Sequence, residues 1–191
     1  MLSLKKDIRI KMLSKRAGYN KNKKERDLFK IRKCILENLQ IESNTIIAGY
    51  FPILGEVDIK NILYKFSNMG ATLLLPVIEK NKMEMNFHNW IISEPLETGP
   101  FNTLQPSDDN EVFYPDVVFV PLLAFDYRGY RVGYGKGFYD KIIRRLKEKK
   151  DFVAYGIAYD WQEIPLVPKD EFDMPLDGVF TPKRFLKVSK A

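Results

Sequence analysis

The chain has 191 residues, of which 45% are hydrophobic and 29% charged, a balance typical of one globular domain spanning 1–191. No run of about 18 uncharged apolar residues occurs, so neither a membrane-spanning helix nor a membrane partner is expected. Cys34 is the only cysteine, and residues 1–15 lack the apolar core of a secretory signal, so we expect a cytoplasmic protein without disulfides.

The formal net charge of +6 is concentrated at the N-terminus. Residues 1–33 contain thirteen Lys or Arg and three Asp or Glu, a net of +10, whereas the remaining 18 basic and 22 acidic residues give −4. A basic segment on a nearly neutral body indicates an anionic partner, for which nucleotide phosphates, a small polyanion and nucleic acid are all candidates. The alternative is a helix face that is simply solvated.

In chain order, hydrophobic residues recur first at helical and then at strand-like spacing. Two basic helices are predicted at 3–17 and 22–39, and a later helix from about Ile59 has Asp58 as its predicted N-cap. Strands are predicted at 45–51, 72–78, 117–124 and 152–158, with weaker candidates at 82–88 and 178–181. This alternation of strands and helices predicts an α/β fold with a mostly parallel sheet.

Ligands of such sheets bind beyond the carboxyl ends of the strands, where three segments fall: 50–58, 124–140 and 158–173. Residues 91–115, rich in Pro, Asn, Asp and Ser, predict a long irregular connection of the kind that borders a site. His88 is the only histidine, which excludes a Ser-His-Asp triad and a multi-histidine metal site. Chemistry based on positioning and electrostatics therefore fits better than covalent catalysis.

A glycine-rich loop, RGYRVGYGKG at 128–137, leads into a predicted helix at 138–149. Its glycines allow close backbone approach, its N–H groups and the helix N-terminus favour an anion, and Arg131 and Lys136 add positive charge. The pattern predicts a phosphate cradle, although it is neither a P-loop nor the dinucleotide-binding fingerprint. A glycine-rich turn without a ligand is the alternative.

Several further side chains are candidates for the same site. Asp140, in the first turn of that helix, either stabilises the helix N-terminus or binds Mg²⁺, which is usually held by one or two carboxylates with phosphates and waters. A second carboxylate could come from Asp170, Glu171, Asp173 or Asp177, and spacing does not choose among them.

Three candidates lie outside the glycine loop. Lys5 and Arg9 share one helix face, which either clamps phosphates or is solvated. Glu56 either accepts hydrogen bonds from a heterocycle or is a plain loop acid, and Phe51 either stacks on a ring or packs in the core.

The segment PLLAFDYRGYRVGYGKGFYD at 121–140 resembles the signature of the 5-formyltetrahydrofolate cyclo-ligase family. Further similarity covers nearly the whole chain: Lys5-x-x-x-Arg9, YFP followed by Gly55-Glu56, GIAYDWQ at 156–162, Pro168, Asp173, Asp177 and Thr181-Pro. Departures from the family pattern are Lys141 for Arg, Phe138 for Tyr, Asn102 for Gly, Gln105 for Glu, and Lys136 where Gly is frequent.

This resemblance implies a three-layer α/β/α domain, with the basic helices at 3–39 packed on the core. It also implies site residues by position. The ATP-binding residues are Lys5, Arg9, Arg131, Val132, Gly133, Tyr134, Gly135, Lys136, Gly137, Phe138 and Tyr139. The folate-binding residues are Phe51, Glu56, Tyr134, Gly135, Lys136, Gly137 and Phe138. Arg131 is the implied catalytic residue, and Asp140 and Asp173 are the implied Mg²⁺ ligands.

The implied reaction converts 5-formyltetrahydrofolate into 5,10-methenyltetrahydrofolate, with ATP phosphorylating the formyl oxygen and N10 closing the ring as phosphate departs. The partners are then the reduced folate and ATP, with no nucleic acid, and a monomer is expected. Two alternatives stay open. One is a family member that binds folate or nucleotide without turnover. The other is an RNA-binding module, suggested by the basic N-terminus and Lys136-Gly-Phe138, although Asp140 would repel RNA.

Overall fold

The computed structural model describes residues 2–79, 84–107 and 111–189. Its α-helices are α1 (Leu2–Ala17), α2 (Lys21–Asn38), α3 (Lys60–Asn68) and α4 (Phe138–Lys147). Within these described ranges, no helix combines the length and apolar character that crossing a membrane requires. Buried apolar residues recur at helical spacing in α4, where Ile142, Ile143 and Leu146 form the packed face.

Seven strands form the central sheet. They are β1 (Ile46–Ala48), β2 (Thr72–Glu79), β3 (Glu84–Asn89), β6 (Val117–Pro121), β9 (Val153–Ile157), β10 (Gly178–Phe180) and β11 (Phe185–Lys187). Two small hairpins stand apart from it, β4 (Glu97–Thr98) with β5 (Leu104–Gln105), and β7 (Ala124–Phe125) with β8 (Arg131–Val132). The sheet order is β11-β10-β9-β6-β1-β2-β3. Only the edge strands β3 and β11 pair antiparallel, which confirms the predicted mostly parallel α/β sheet.

Hydrophobic clusters cover both faces of the sheet, as three layers require. One cluster joins α2 and α3, through residues such as Ile35 and Phe66, to inward-facing strand residues such as Phe119. The other joins Ile143 of α4 to the opposite face, including Val118 of β6. Because β6 is central and covered on both faces, its run from Val117 to Val120 is entirely buried, as its lack of alternation predicts.

Some local predictions need correction. The predicted N-cap Asp58 lies one residue too early: Ile59 occupies the cap, while the Asp58 carboxylate accepts a hydrogen bond from the Lys60 N–H at 3.0 Å. The predicted irregular stretch 91–115 contains the β4–β5 hairpin, and β11 was missed. These strands, β4, β5 and β11, have only two or three residues each, which is too short to show an alternating pattern. Residues 82–83 of the weak strand candidate lie outside the described residues.

Candidate active site

A cleft of about 650 Å³ opens where residues following β1 meet the end of β6 and the glycine loop. This is the edge of the sheet at which the alternating topology places ligands. All fifteen candidate site residues line the cleft: Lys5, Arg9, Phe51, Glu56, Arg131, Val132, Gly133, Tyr134, Gly135, Lys136, Gly137, Phe138, Tyr139, Asp140 and Asp173. Segments separated by more than a hundred positions therefore meet in one place.

The glycine loop presents its backbone to the cleft. Gly137, with φ of 70°, is the N-cap of α4 and provides no side-chain cap for the helix N–H groups. Among the hydrogen bonds of the described residues, none is donated by the backbone N–H groups of residues 133–137. A loop of free N–H groups continuing into a helix N-terminus is the arrangement that binds phosphate.

Arg9 lies directly on this loop. Its Nε donates to the carbonyl oxygen of Gly133 at 2.8 Å. A Cβ at Gly135 would sit only 3.0 Å from the guanidinium carbon, and Gly135 has a φ of 97°. Glycine is therefore needed at 135 both for the left-handed backbone and for the close approach of Arg9.

Arg131 is held beneath the start of α4. Its Nη2 donates to Asp140 Oδ1 at 2.9 Å and its Nη1 to the carbonyl oxygen of Met174 at 2.7 Å. The Met174 N–H also donates to Asp140 Oδ1, at 3.0 Å. The Arg131 guanidinium thus joins the glycine loop, α4 and the segment around Met174, and it is nearly buried.

Lys5 pairs with the second candidate metal ligand. Its Nζ lies 2.5 Å from Asp173 Oδ2 and 3.4 Å from Asp170 Oδ2. Lys5 is only 7% exposed, so the interpretation of this position as a solvated helix face is wrong. The helix packs against the β7–β8 hairpin through Met12, and this docking turns Lys5 and Arg9 towards the cleft.

Glu56 is a buried carboxylate that also lines the cleft. Its Oε2 accepts a hydrogen bond from the Ile53 N–H at 3.0 Å, and the Tyr134 hydroxyl lies close enough to influence its pKa. Burial raises the pKa of Glu56 to about 7, although the Ile53 N–H, the Arg16 guanidinium and Tyr134 oppose the rise. Such a group changes its charge near neutral pH, which is unusual for a plain loop acid.

The turn that presents Glu56 is strained. Leu54 and Gly55 both have positive φ, 46° and 76°, and the Glu56 N–H closes the turn on the Ile53 carbonyl oxygen at 2.9 Å. A leucine in the left-handed region costs about 1–2 kcal/mol. Backbone strain of this kind concentrates at functional sites.

An apolar wall also lines the cleft, and sequence reasoning missed most of it. Its residues come from β2, β3, the β4–β5 hairpin and the end of β6: Pro76, Ile78, Met85, Phe101, Leu104 and Pro121. The only signal in the sequence was the irregular stretch 91–115, predicted to border a site. Phe51 is half-buried, meeting Trp90 edge-on at 6.5 Å between ring centroids while also lining the cleft.

The β4–β5 hairpin faces the glycine loop across the cleft. Lys136 Nζ lies 5.1 Å from the centre of the Phe101 ring, and the Phe101 and Phe138 ring centroids are 6.1 Å apart. Phe101 and Asn102 both have positive φ, 62° and 57°. Asn102 stands where the family pattern has Gly. The backbone still accommodates Asn at this position, because Asn tolerates positive φ better than most residues do.

The residues that line the cleft fall into two sets by chemistry, here called its apolar half and its charged half. The apolar half comprises the wall and the buried acid Glu56; the charged half comprises Lys5, Arg9 and Arg131 with Asp140 and Asp173. A cleft lined in this way can hold both a flat heterocycle and phosphates.

Arg16 is a further residue that sequence reasoning missed. It is 6% exposed and donates from Nη1 to the Tyr134 hydroxyl oxygen at 2.8 Å and from Nη2 to the Leu122 carbonyl oxygen at 2.6 Å. In the sequence it is one of many basic residues in the first helix, so nothing distinguishes it from its solvated neighbours.

Comparisons with known proteins agree with this geometry. The model of the 5-formyltetrahydrofolate cyclo-ligase family matches residues 2–182. The cyclo-ligase of Mycoplasma genitalium is 31% identical over 177 residues, covering 91% of this chain and 94% of the relative. That of Escherichia coli is 30% identical over 146 residues, covering 72% and 78%.

A solved structure extends the agreement to the fold. The NMR structure of Aquifex aeolicus 5,10-methenyltetrahydrofolate synthetase superposes with a TM-score of 0.82 at 29% sequence identity, covering 98% of this chain and 94% of that one. The mixed, mostly parallel sheet and the helices on both of its faces are thus shared with a named enzyme. The chain belongs to the 5-formyltetrahydrofolate cyclo-ligase family.

Proposed function

We propose that this chain converts 5-formyltetrahydrofolate into 5,10-methenyltetrahydrofolate, consuming ATP with Mg²⁺ and releasing ADP and phosphate. The observation that carries the proposal is the convergence of all fifteen candidate residues on one cleft with an apolar half and a charged half. Membership of the cyclo-ligase family supports the same reaction. A cleft with only an anion site or only an apolar pocket would not serve two such different substrates.

The phosphates of ATP bind the charged half in this proposal. The N–H groups of residues 133–137 and the start of α4 receive them, with Lys5, Arg9 and Arg131 neutralising their charge. Lys136, above Phe101, adds an exposed cation at the rim. Phosphoryl transfer depends on alignment and charge stabilisation more than on a protein nucleophile, and this set of donors supplies both.

Asp140 and Asp173 fit the Mg²⁺ that accompanies ATP. The hydrogen bonds that the described residues make to these carboxylates end on Oδ1 of Asp140 and on Oδ2 of Asp173, which leaves one oxygen of each for a cation. No group of three or more His, Cys, Asp or Glu within 2–79, 84–107 and 111–189 could form a full metal cage. Two carboxylates completed by phosphates and water are what Mg²⁺ commonly uses, and the bound ion would neutralise phosphate charge.

The folate occupies the apolar half. Its pterin ring lies between Phe51 and the loop residues 134–138, with the ionised Glu56 accepting hydrogen bonds from ring N–H groups. The formyl group on N5 then points towards the glycine loop. This orientation brings the formyl oxygen to the phosphates held at the opposite end.

The chemistry follows from the poor leaving ability of an amide oxygen. Transfer of the γ-phosphoryl group to the formyl oxygen forms a C–O–P linkage and releases ADP. N10 attacks the formyl carbon, the C–O bond breaks with its electron pair on phosphate, and the N10 proton passes to solvent. Arg131 and the loop N–H groups stabilise the charge that develops on the transferred group.

The proposal includes the setting of the enzyme. We infer one domain over 1–191, acting as a cytoplasmic monomer without nucleic acid. All fifteen candidate residues line one cleft of a single chain, so the proposed site is complete without a second copy. Burial of Lys5 and Arg16 inside the protein removes two cations from the basic surface that RNA binding would use.

The test is an absorbance assay of purified protein with 5-formyltetrahydrofolate, ATP and MgCl₂. The methenyl product absorbs in the near ultraviolet, so a rise that requires both ATP and Mg²⁺ supports the proposal. Arg131→Ala should lower turnover sharply, whereas Arg26→Ala, an exposed arginine on α2, should not. An unchanged rate in folded Arg131→Ala protein would refute the role of Arg131.

A flat trace from folded wild-type protein would contradict turnover. Binding of 5-formyltetrahydrofolate without turnover would then favour a non-catalytic family member. Tight RNA binding that weakens with salt and that ATP does not displace would favour the RNA-binding module instead.

A further inference from the structure

Arg16 is a buried cation with an incomplete set of partners. Its Nη1 and Nη2 donate to Tyr134 and to Leu122, but its buried Nε has no partner among the described residues. Burying a charge with an unpaired donor is costly, and buried ion pairs are weak sources of net stability. A role in the neighbouring site accounts better for this arrangement than stability does.

The hydrogen bonds from Arg16 have a fixed direction. A guanidinium has only donors, so the Tyr134 oxygen must accept from Arg16 Nη1. The tyrosine hydrogen is then free to be directed at the nearby Glu56 carboxylate, which accepts hydrogen bonds when it is ionised. Arg16 can therefore act on Glu56 through the polarised hydroxyl of Tyr134.

We propose that Arg16 is a positioning residue that, through the Tyr134 hydroxyl, keeps Glu56 an ionised hydrogen-bond acceptor for the N–H groups of the substrate's heterocycle. This inference rests on the proposed function, because it assigns the folate ring to Glu56. It concerns binding of the heterocycle, however, so it can be tested without turnover. Arg16 itself contacts no substrate in this proposal.

Charge balance around Glu56 supports the role of Arg16. Four titratable or charged groups interact electrostatically with Glu56, and each comes from a different part of the fold. They are Arg16 of α1, Tyr50 after β1, Tyr134 of the glycine loop and Tyr139 of α4. Arg16 is the only cation in this set of described groups. Arg16 lies against the turn that carries Glu56, because a Cβ added at Gly55 would be only 3.3 Å from Arg16 Cγ.

The sign of the expected pH effect follows. The pKa of Glu56 is about 7 with Arg16 present, and Arg16 lowers it, so removing Arg16 raises it further. A rise of about one pH unit leaves roughly one fifth of the ionised carboxylate at pH 7. Affinity for the heterocycle should therefore fall about fivefold at pH 7 and return near the wild-type value at pH 9.

The experiment measures the Kd of 5-formyltetrahydrofolate by calorimetry from pH 6 to pH 9 on the full chain. Arg16→Met should move the acidic limb of the binding curve about one pH unit upwards. Tyr134→Phe, which breaks the connection while leaving Arg16 in place, should move it the same way. Arg16→Lys keeps the charge and should return the limb towards that of wild type.

Lys11→Met, an exposed lysine on the same helix, is the matched control and should bind as wild type does. A loss of affinity that is equal at every pH in Arg16→Met and Tyr134→Phe, with both folded, would overturn the proposal, since a structural role alone predicts it. If Arg16→Met does not fold, the position of the acidic limb of the binding curve in Tyr134→Phe tests the proposal by itself. Wild-type protein that binds folate with the expected pH curve but forms no methenyl product would sink the proposed reaction and leave this inference standing.

Discussion

Lys5 Nζ and Asp173 Oδ2 lie 2.5 Å apart, although 168 positions separate them along the chain. Their side chains are 9% and 16% exposed, and both line the cleft. The contact joins the first helix to the connection between β9 and β10, so two distant parts of the sequence meet among the charged residues of the cleft. In the proposed site, this cation and this carboxylate would share the phosphate and its Mg²⁺.

Replacing Lys5 with Met should impair ATP use more than folate binding. The change removes one phosphate-facing cation and leaves the Asp173 carboxylate without its closest partner. We expect KM for ATP to rise by about tenfold, the effect of losing one charged contact of about 1.4 kcal/mol. Steady-state assays with varied ATP measure it. Lys6→Met, the exposed neighbour, is the control, and equal KM values for the two variants would contradict the clamp.

Asp140→Asn should weaken the response to Mg²⁺. The amide keeps the shape but loses the negative charge that pairs with Arg131 and that the proposed Mg²⁺ would require. We expect the half-saturating Mg²⁺ concentration to rise by about tenfold or more, with lower maximal turnover. A Mg²⁺ titration at fixed ATP measures this, and Glu148→Gln at the far end of α4 serves as the control. A wild-type Mg²⁺ curve in Asp140→Asn would remove this residue from the metal site.

Glu56→Gln should stabilise the protein in a pH-dependent way. The pKa of Glu56 rises from 4.5 to about 7 on folding, so the folded state retains a proton that the unfolded state loses in this window. The wild-type free energy of unfolding therefore falls as pH rises from about 4.5 to 7, by on the order of 3 kcal/mol from this residue. The amide of the Glu56→Gln variant does not titrate, so the variant does not lose this part of the free energy of unfolding as the pH rises.

Urea denaturation at pH 5 and pH 8 measures the difference between wild type and Glu56→Gln. The free energy of unfolding of the variant should exceed that of wild type by clearly more at pH 8 than at pH 5. The variant should also bind folate less tightly. An advantage of the same size at both pH values would show that Glu56 is not a buried carboxylate with a raised pKa.

Leu54→Asn should increase stability by about 1 kcal/mol, because Asn tolerates positive φ better than Leu does. Leu54 is exposed, so the change removes little packing. The free energy of unfolding from urea denaturation measures the gain. Leu166→Asn is the comparison, since Leu166 is also exposed but has no positive φ, and it should show no gain. Equal effects of the two changes would mean that the Leu54 turn is not strained.

The glycine loop, the α4 stripe and the buried strand β6 could all be predicted from the sequence. Each of these features depends on residues close together in the chain, where the spacing of apolar residues and glycines indicates a turn, a helix or a strand. The resemblance of residues 121–140 to the family signature then indicated the family and which positions are candidate site residues. Glu56 and Phe51 were also placed correctly at the end of the first strand, because that strand leads straight into the cleft.

Other features depended on distant segments. Pattern alone left Lys5 undecided between a clamp and a solvated face, and only the docking of α1 on the β7–β8 hairpin buried it beside Asp173. The apolar wall formed by Pro76 and Met85 exists because β2 and β3 pass the hairpin that carries Phe101.

The sequence by itself determined the four helices and the longer buried strands, and which local motif could hold phosphate, because those properties arise within a few consecutive residues. The tertiary structure alone decided that Arg16 meets Tyr134 and that burial brings the pKa of Glu56 close to neutrality. Desolvation depends on everything packed around a group, and most of what surrounds Glu56 comes from elsewhere in the chain.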